Sequence, residues 1–353
     1  MKYAGTRILL TVLIVTAAAL ADVDVENDNA ENFTLSVYAR IRFSEFGGAL
    51  VIPDRSFGIE SAGLTADFDI TDNTEGQLQL EIRPDDIFLK DCYILWEPFD
   101  FLGAQAGRFK KPFCLNTLTS TWDLQAIDHS ITHRELSDLL YSGRDIGSVL
   151  ILDPRFEYLP TCTFGIFNGS PDALIQNNEI QYAGRAEFEL PYDIVVGADL
   201  TSLRLGEEDE FSVEGYSFSP RQTAMGADLQ FETELGKDFL FLIRGEFVRG
   251  DNWPLANVIE GDVPPEFQTW WFTGGITFET DKPSLESISA SLSMGSWEPD
   301  RSVGSREDEL VITLSVDTGT PVTFRAAMAA HRPHNIMFEE DRTDYILEAA
   351  LDL

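Results

Sequence analysis

The sequence predicts an all-β fold: a sixteen-stranded antiparallel transmembrane β-barrel with an inward-folded constriction loop after strand five. Three observations lead to this prediction. Apolar and polar residues alternate along sixteen segments, brief connections at one end contrast with long polar ones at the other, and beyond residue 21 no stretch approaches the roughly 18 apolar residues of a spanning helix. A chain that crosses lipid with strands has to close them into a barrel, because unpaired backbone groups are too costly there.

The first residues indicate export. Lys2 and Arg7 precede the apolar stretch Ile8–Val15, and Ala19-Leu20-Ala21 has the small-x-small pattern of a signal-peptide cleavage site. We therefore expect residues 1–21 to be a cleaved signal peptide. Residues 22–353 are expected to form one barrel domain in the bacterial outer membrane, in contact with its lipid.

The composition excludes one class of partner. Lys and Arg number 25 against 60 Asp and Glu, for a net charge of −35. So acidic a chain repels nucleic acid, and no basic patch with interleaved aromatic residues is present in the sequence, so we expect no nucleic-acid partner. The three cysteines, Cys92, Cys114 and Cys162, are too few for a disulfide framework and are expected to be free thiols.

The predicted strands follow one another to the last residue. In the final one, Tyr345, Leu347 and Leu351 share an apolar face that Asp344 and Glu348 oppose, as expected of a strand between lipid and lumen. The sixteen segments, in order, are Phe33–Phe46, Phe57–Thr71, Thr74–Arg83, Ile87–Glu97, Leu102–Phe109, Gly143–Leu152, Pro160–Asn168, Ile180–Leu190, Tyr192–Leu205, Ser217–Thr233, Asp238–Arg249, Gln268–Thr280, Ser284–Trp297, Glu307–Asp317, Thr320–His331 and Thr343–Leu353.

The connections predict which strand ends share a rim. Five on one side are brief, namely Asp72-Asn73, Pro191, Glu234–Lys237, Asp281–Pro283 and Thr318-Gly319. Most on the other side are long and polar, namely Gly47–Ser56, Gly169–Glu179, Gly206–Tyr216, Gly250–Phe267, Glu298–Arg306 and Arg332–Arg342. Short turns on one rim and long loops on the other are typical of an outer-membrane barrel, although Pro84–Asp86 and Asp153–Leu159 depart from this pattern.

The longest gap between predicted strands is Lys110–Ser142, on the long-loop side after strand five. A gap of this length is expected to be functional. We expect it to fold inward and narrow a lumen that would otherwise be an open aqueous channel. The alternative is a surface lid or a small helical insertion, since Asp123–Leu140 contains a possible helix.

The phase of each strand assigns its charged residues to the lumen. Placing the more apolar side toward lipid sends six arginines inward: Arg40, Arg42, Arg83, Arg185, Arg244 and Arg325. The loop after strand five contributes Lys110, Lys111 and Arg134 against Asp123, Asp128, Glu135 and Asp138, and Arg144 follows it. We expect a basic wall to face these acids and create a transverse field with mild ion selectivity. The alternative is that the charges pair locally and keep the lumen wet.

Three segments carry a resemblance to a known family. Gly107-Arg108-Phe109-Lys110-Lys111-Pro112-Phe113 resembles the G-x-F-K-x-P-F segment of the phosphate-selective porin O and P family. Gly143-Arg144-Asp145-Ile146-Gly147 resembles that family's R-D-x-G segment, and Gly165-Ile166-Phe167-Asn168-Gly169 resembles its G-x-F-N-G segment. The resemblance implies a sixteen-stranded trimeric porin that admits small anions or general solutes.

Two departures limit what the resemblance implies. The last residue is Leu353, where outer-membrane barrels usually end in an aromatic residue. The loop after strand five also contains four acids beside its three basic residues, so we do not expect phosphate specificity. The Lys110-Lys111 pair is either an anion contact or a cap at a strand end.

No enzymatic site is expected. His129 and His133 lack the HExxH glutamate, and His331 and His334, which flank Pro333, have no identifiable third metal ligand in the sequence. There is also no G-x-S-x-G elbow. We expect no catalytic residues, metal or cofactor, but a homotrimeric channel for small hydrophilic solutes or inorganic ions. The alternative is a secreted soluble β-propeller or jelly-roll protein with carbohydrate-binding or hydrolytic activity.

Overall fold

A computed structural model shows the chain as a closed antiparallel barrel of sixteen strands, in which each strand pairs with its sequence neighbours and the first pairs with the last. The structure describes residues 32–47, 55–83, 86–156, 159–169, 180–204, 221–252, 264–335 and 341–353. The strands are β1 Asn32–Gly47, β2 Arg55–Thr71, β3 Thr74–Ile82, β4 Ile87–Phe99, β5 Leu102–Lys110, β6 Arg144–Leu152, β7 Thr161–Phe167, β8 Ile180–Leu190, β9 Ile194–Arg204, β10 Arg221–Leu235, β11 Phe239–Asp251, β12 Glu266–Lys282, β13 Leu285–Asp300, β14 Ser305–Asp317, β15 Val322–His334 and β16 Arg342–Asp352.

The number and order of the predicted strands are confirmed. Their bounds differ from the predicted ones by at most four residues. One closed barrel is neither a propeller nor a jelly roll, so the fold of the soluble alternative is wrong. The expected signal peptide, residues 1–21, lies outside the described residues. Two short helices, α1 Leu115–Leu118 and α2 Ile131–Asp138, follow β5, and no helix of the described chain is long and apolar enough to cross a membrane.

The faces of the strands follow the predicted alternation. At the closure, Arg42 on β1 is directly opposite Glu348 on β16, and the two side chains are 8% and 4% exposed. The neighbouring outward residues Ile41 and Leu347 are 50% and 57% exposed. The barrel therefore directs these charged side chains to its interior and these apolar ones outward.

The last residue takes part in the closure. The Leu353 backbone N–H donates to the Val37 carbonyl and the Val37 N–H donates to the Leu353 carbonyl, both at 2.8 Å. Two N–H···O bonds of this length extend the β1–β16 ladder beyond Asp352. The apolar residue at the end of the sequence thus pairs with β1 through its backbone.

The segment between β5 and β6, residues 111–142, lies inside the barrel; we call it the lumenal segment. Cys114 N–H donates to Asp199 of β9 at 3.1 Å, and the Ile127 carbonyl accepts from Arg40 of β1 at 2.9 Å. Because β1 and β9 are on opposite sides of a sixteen-stranded barrel, a segment that contacts inward side chains of both has to run across the interior. The helix expected within 123–140 is the shorter α2.

Candidate functional site: the barrel lumen

Glu246 of β11 holds the start of the lumenal segment. Its carboxylate accepts from the backbone N–H groups of Leu115 at 2.8 Å and Asn116 at 3.3 Å, and from Trp271 Nε1 at 2.8 Å. The Cys114 thiol donates to it at 3.2 Å. Burial raises the pKa of the Cys114 thiol well above its ordinary value, so the sulfur keeps the proton that it donates. One buried carboxylate thus satisfies four donors of the segment and the wall.

An apolar contact continues this attachment. Phe113, Ile131, Leu136, Leu139 and Tyr141 of the segment form one buried cluster with Ala224, Val248, Phe267 and Trp297 of the wall. The backbone of β13 comes close to α2 here, because a methyl group added at Gly295 would lie 3.0 Å from Ile131 Cγ2. Burial of large apolar side chains contributes about 1.5–3 kcal/mol each, so this patch stabilises the segment against the β10–β13 wall.

Beside Glu246, Arg185 joins two acids of the wall. Its Nη1 lies 3.0 Å from Asp199 Oδ2 and 2.6 Å from Asp228 Oδ2. Asp199, Asp228 and Glu246 have ligand atoms within 4.8 Å of one another, a separation that a metal ion could use. The Arg185 guanidinium already neutralises two of them and the donors described above satisfy Glu246, so the arrangement is a structural ion cluster.

On the opposite wall, Arg40 and Arg42 are paired. Asp128 of the segment accepts from both terminal nitrogens of Arg42 at 2.8 Å and from Arg40 Nη2 at 3.2 Å. Glu348 of β16 lies 2.9 Å from Arg40 and 2.8 Å from Arg42. The sequence predicted a basic wall that faces a separate acidic loop. For these two arginines the prediction is wrong, because the loop carboxylate Asp128 binds them directly. Their contacts match the alternative of local pairing.

A basic cavity of about 380 Å³ lies between the segment and β1–β6. Its cations are Arg40, Arg83, Lys90, Lys110 and Arg144, and its carboxylates are Glu60, Glu81 and Asp128. Glu81 binds Arg83 and Lys90, both at 2.7 Å, and Lys110 Nζ donates to the Leu118 and Thr119 carbonyls at 3.0 Å. Counted as formal charges, the lining is positive.

An acidic cavity of about 480 Å³ lies between the segment and β11–β16. Its carboxylates are Asp123, Glu286, Asp317 and Asp352, and its cation is Arg325. Trp122 of the segment lines both cavities, so the two lie on either side of it. The lumen therefore has walls of opposite charge, but the division differs from the one expected from the sequence, since the acids come mainly from strands.

Seven residues expected to line the pore line neither of these two cavities: Arg42, Lys111, Arg134, Glu135, Asp138, Arg185 and Arg244. Lys111 is 3% exposed and donates to the Leu140 carbonyl at 2.6 Å and to Gln181 at 2.8 Å, so it attaches the segment and is not an anion contact. Arg134 pairs with Glu135 at 3.0 Å on α2, and exposed Asp138 ends that helix. Arg244 donates to the Asp123 carbonyl at 3.3 Å.

Two histidines of the lumenal segment lie against each other in the lining of the basic cavity. The rings of His129 and His133 have centroids 4.2 Å apart, and His133 Nδ1 lies 2.8 Å from Thr117 Oγ1. Burial and the nearby Lys110 charge lower the pKa of His129 to about 3. Burial, the His129 ring and Lys110 lower the pKa of His133 well below its ordinary value. Both rings are therefore neutral at pH 7.

This pair predicts acid sensitivity of the lumenal segment. The folded pKa lies below the unfolded one, so between pH 6.5 and about 3 the released histidines bind protons that the docked ones do not, and stability falls as pH falls. We expect docking to lose about 3–5 kcal/mol on going from pH 7 to 4.5, since each histidine contributes about 1.4 kcal/mol for each pH unit below 6.5. Limited proteolysis between residues 111 and 142 at both pH values measures the loss. The H129Q/H133Q variant should lose less, and an equal loss in both proteins would contradict the assignment.

Comparison with known proteins shows similarity in fold. No protein-family model and no curated protein sequence matches the chain. The barrel is similar to the solved structure of OprB from Pseudomonas putida, with a TM-score of 0.64, 10% identity and 97% of each chain covered. For an anion-selective porin from Comamonas acidovorans the TM-score is 0.62 and the sequence identity 10%, and the match covers 91% of this chain and 99% of that one. For the trimer form of OmpT, an outer membrane protein of Vibrio cholerae, the TM-score is 0.55 and the sequence identity 14%, and the match covers 91% of this chain and 99% of that one.

Proposed function

We propose that the chain is an outer-membrane porin, a water-filled channel for passive diffusion of small hydrophilic solutes and inorganic ions. The observation that carries this proposal is the closed barrel itself, whose outward face is apolar and whose interior holds charged cavities beside the lumenal segment. Closure leaves no strand edge to lipid, and a polar lumen is the arrangement that passes water-soluble molecules. The similarity in fold to solved porins supports the same role.

We further propose that the lumenal segment is the constriction and that the two cavities set selectivity. A solute beside Trp122 would meet positive charge toward β1–β6 and negative charge toward β11–β16. Such a field orients dipolar solutes and favours neither ion sign strongly. Because Arg40 and Arg42 are bound to Asp128 and Glu348, the field comes from the remaining cavity charges rather than from these arginines.

Membership of the phosphate-selective porin O and P family is also a proposal, and it rests on motifs with structural roles here. Gly107 has φ +137° and no room for a side chain, since an added methyl would lie 2.2 Å from the Cys92 carbonyl oxygen. Phe109 and Phe113 are buried, and Lys111 attaches the segment. The motif thus places the segment, which is a reason to propose the family's architecture without its phosphate specificity.

We also propose that the chain forms a homotrimer in the bacterial outer membrane. Residues 1–21 would direct its export as a signal peptide that is then cleaved. The trimer form recorded for Vibrio cholerae OmpT supports the assembly. The exposed apolar outward face supports contact with lipid or with neighbouring barrels.

Reconstitution into a planar bilayer tests the channel function. We expect the folded, detergent-purified protein to give stepwise ohmic currents, and a reversal potential across a potassium chloride gradient that stays close to zero, because charges of both signs line the path. The same preparation after heat unfolding is the matched control. Folded protein that inserts and carries no current would contradict the proposal.

A further inference from the structure

A single arginine lies among the carboxylates of the acidic cavity. Arg325 of β15 lines this cavity together with four acids, two of which, Asp317 and Asp352, belong to the neighbouring strands β14 and β16. The arginine is only 9% exposed. A charge this deeply buried is costly unless it is paired.

The structure gives Arg325 no close partner. Its Nη1 has no hydrogen-bond partner among the described residues, and its one ion pair there, with Glu348 Oε1, spans 3.9 Å. The charge of Glu348 is already compensated, since its Oε2 lies 2.9 Å from Arg40 and 2.8 Å from Arg42. A guanidinium carries several N–H donors in a fork that suits a carboxylate, and even a direct bond to Glu348 would occupy only some of them. Arg325 is therefore available to an anionic group that enters the cavity.

The rest of the lining suits positive charge. Asp123 of the lumenal segment and Glu286 of β13 complete the four acids that face this one guanidinium. Trp122 borders the same cavity, and an indole ring attracts cations to its face. A small molecule that matches the cavity thus offers one carboxylate to Arg325 and ammonium groups to the acids.

The strand register places these charges in order along the wall. Arg325 is directly paired with Ser315 of β14 and with Glu348 of β16. Asp317 lies two residues beyond Ser315, and Asp352 lies four residues beyond Glu348 in the same direction. Since a strand rises about 3.4 Å per residue, the two acids stand roughly 7 Å and 14 Å from the level of the arginine.

We propose that the acidic cavity binds α-amino acids with a cationic side chain, such as lysine. Arg325 would donate to the α-carboxylate, Asp317 would accept from the α-ammonium group, and the side-chain ammonium would reach Asp352. The charges follow one another in this order along an extended lysine, whose second ammonium group ends a four-carbon stem. A volume of about 480 Å³ is within the range of small-molecule pockets.

The excess of acids excludes other charge patterns. A dicarboxylate would be repelled by the four carboxylates, and a diamine would leave Arg325 without a partner. The inference rests on the proposed porin function, because the lumen is the route by which an amino acid reaches the cavity. Binding is nevertheless measured in detergent, without transport. A failure to bind would overturn the site alone, and the bilayer recording described above tests the channel separately.

Equilibrium titration of the folded protein in detergent with L-lysine and with cadaverine tests the site. Cadaverine is lysine without its carboxylate, so the ratio of the two dissociation constants reports the contact with Arg325. We expect wild type to bind lysine roughly 10-fold more tightly, as one hydrogen-bonded charge pair allows. In R325Q this preference should disappear, and D317N/D352N should bind both ligands more weakly. The control is R332Q, which should keep the wild-type ratio, because Arg332 is exposed on the same strand and lines neither cavity.

A second ligand tests the carboxylate contact without any variant. Lysinamide keeps both ammonium groups of lysine and lacks its negative charge, so wild type should bind it roughly 10-fold more weakly than lysine. Three results would overturn the proposal: no binding of lysine to folded wild type, equal affinities of wild type for lysine and lysinamide, and an R325Q preference for lysine over cadaverine equal to that of wild type. Folding of each variant is checked by the altered gel migration of the barrel on heating. R325Q is expected to fold, because Glu348 keeps Arg40 and Arg42.

Discussion

Replacing Glu246 by alanine will release the lumenal segment and raise single-channel conductance several-fold. The change leaves the Leu115 and Asn116 N–H groups, Trp271 Nε1 and the Cys114 thiol without their shared acceptor. Each hydrogen bond to a charged group contributes about 1.5–3 kcal/mol, and buried donors left unpaired add their desolvation penalty. The start of the segment should therefore detach from β9–β12 and widen the path.

E232Q is the matched control for this variant. Glu232 lies on β10, where the register places it on the inward side, but it is exposed and forms no side-chain hydrogen bond or ion pair with the lumenal segment among the described residues. Its conductance should equal that of wild type. E246A should also be cleaved faster by protease within residues 111–142. An E246A channel with wild-type conductance and protease resistance would show that the anchor does not hold the segment.

Changing the two cavities will shift ion preference in opposite directions. In R83Q/K90Q the basic cavity loses two of its five cations and keeps its three carboxylates, so the reversal potential should move toward potassium preference. In E286Q/D317N the acidic cavity loses two of its four carboxylates, so the reversal potential should move toward chloride preference. Each shift should correspond to a several-fold change in the permeability ratio and decrease at high salt, because ions screen exposed charges.

The two variants serve as controls for each other. A general loosening of the barrel would move both reversal potentials the same way or neither, whereas local charge moves them apart. Equal reversal potentials for wild type and both variants would mean that the cavities do not lie on the ion path. A single variant without effect would remove its own cavity from the path.

The strands were predictable because each strand of the barrel wall has one polar and one apolar face. In β16, for example, Tyr345 and Leu347 alternate with Asp344 and Glu348, and a register slip of one residue would turn the charges to the outer face. This rule needs only local sequence. It placed Arg40, Arg42 and Arg325 on the inward face before any pairing was known.

The partners of those inward residues were not predictable from local sequence. Asp128 binds Arg42 although 86 residues separate them, and the acid that anchors the segment, Glu246, is one of 60 in the chain. The inward apolar patch around Val248, Phe267 and Trp297 is visible in the sequence, because apolar residues stand there at the alternate positions that face the lumen. Alternation alone predicts a polar inner face along every strand, so it does not predict where α2 packs.

The lysines show the same limit. Lys110 and Lys111 are adjacent in sequence, yet Lys110 reaches the basic cavity and Lys111 is buried against Gln181. The strand ends between them, so their side chains leave the backbone in different surroundings. The sequence therefore could not predict which of the two lysines faces the cavity.

If the lumenal segment narrows an open channel, it sets the size of the sugars that enter proteoliposomes through the protein, and their uptake can be measured for sugars of increasing size. Wild-type protein should admit monosaccharides and exclude larger oligosaccharides. E246A should raise this size limit, and E232Q should leave it unchanged. If wild type admits no sugar, or if wild type and E246A share one size limit, the lumenal segment is not the constriction of an open channel.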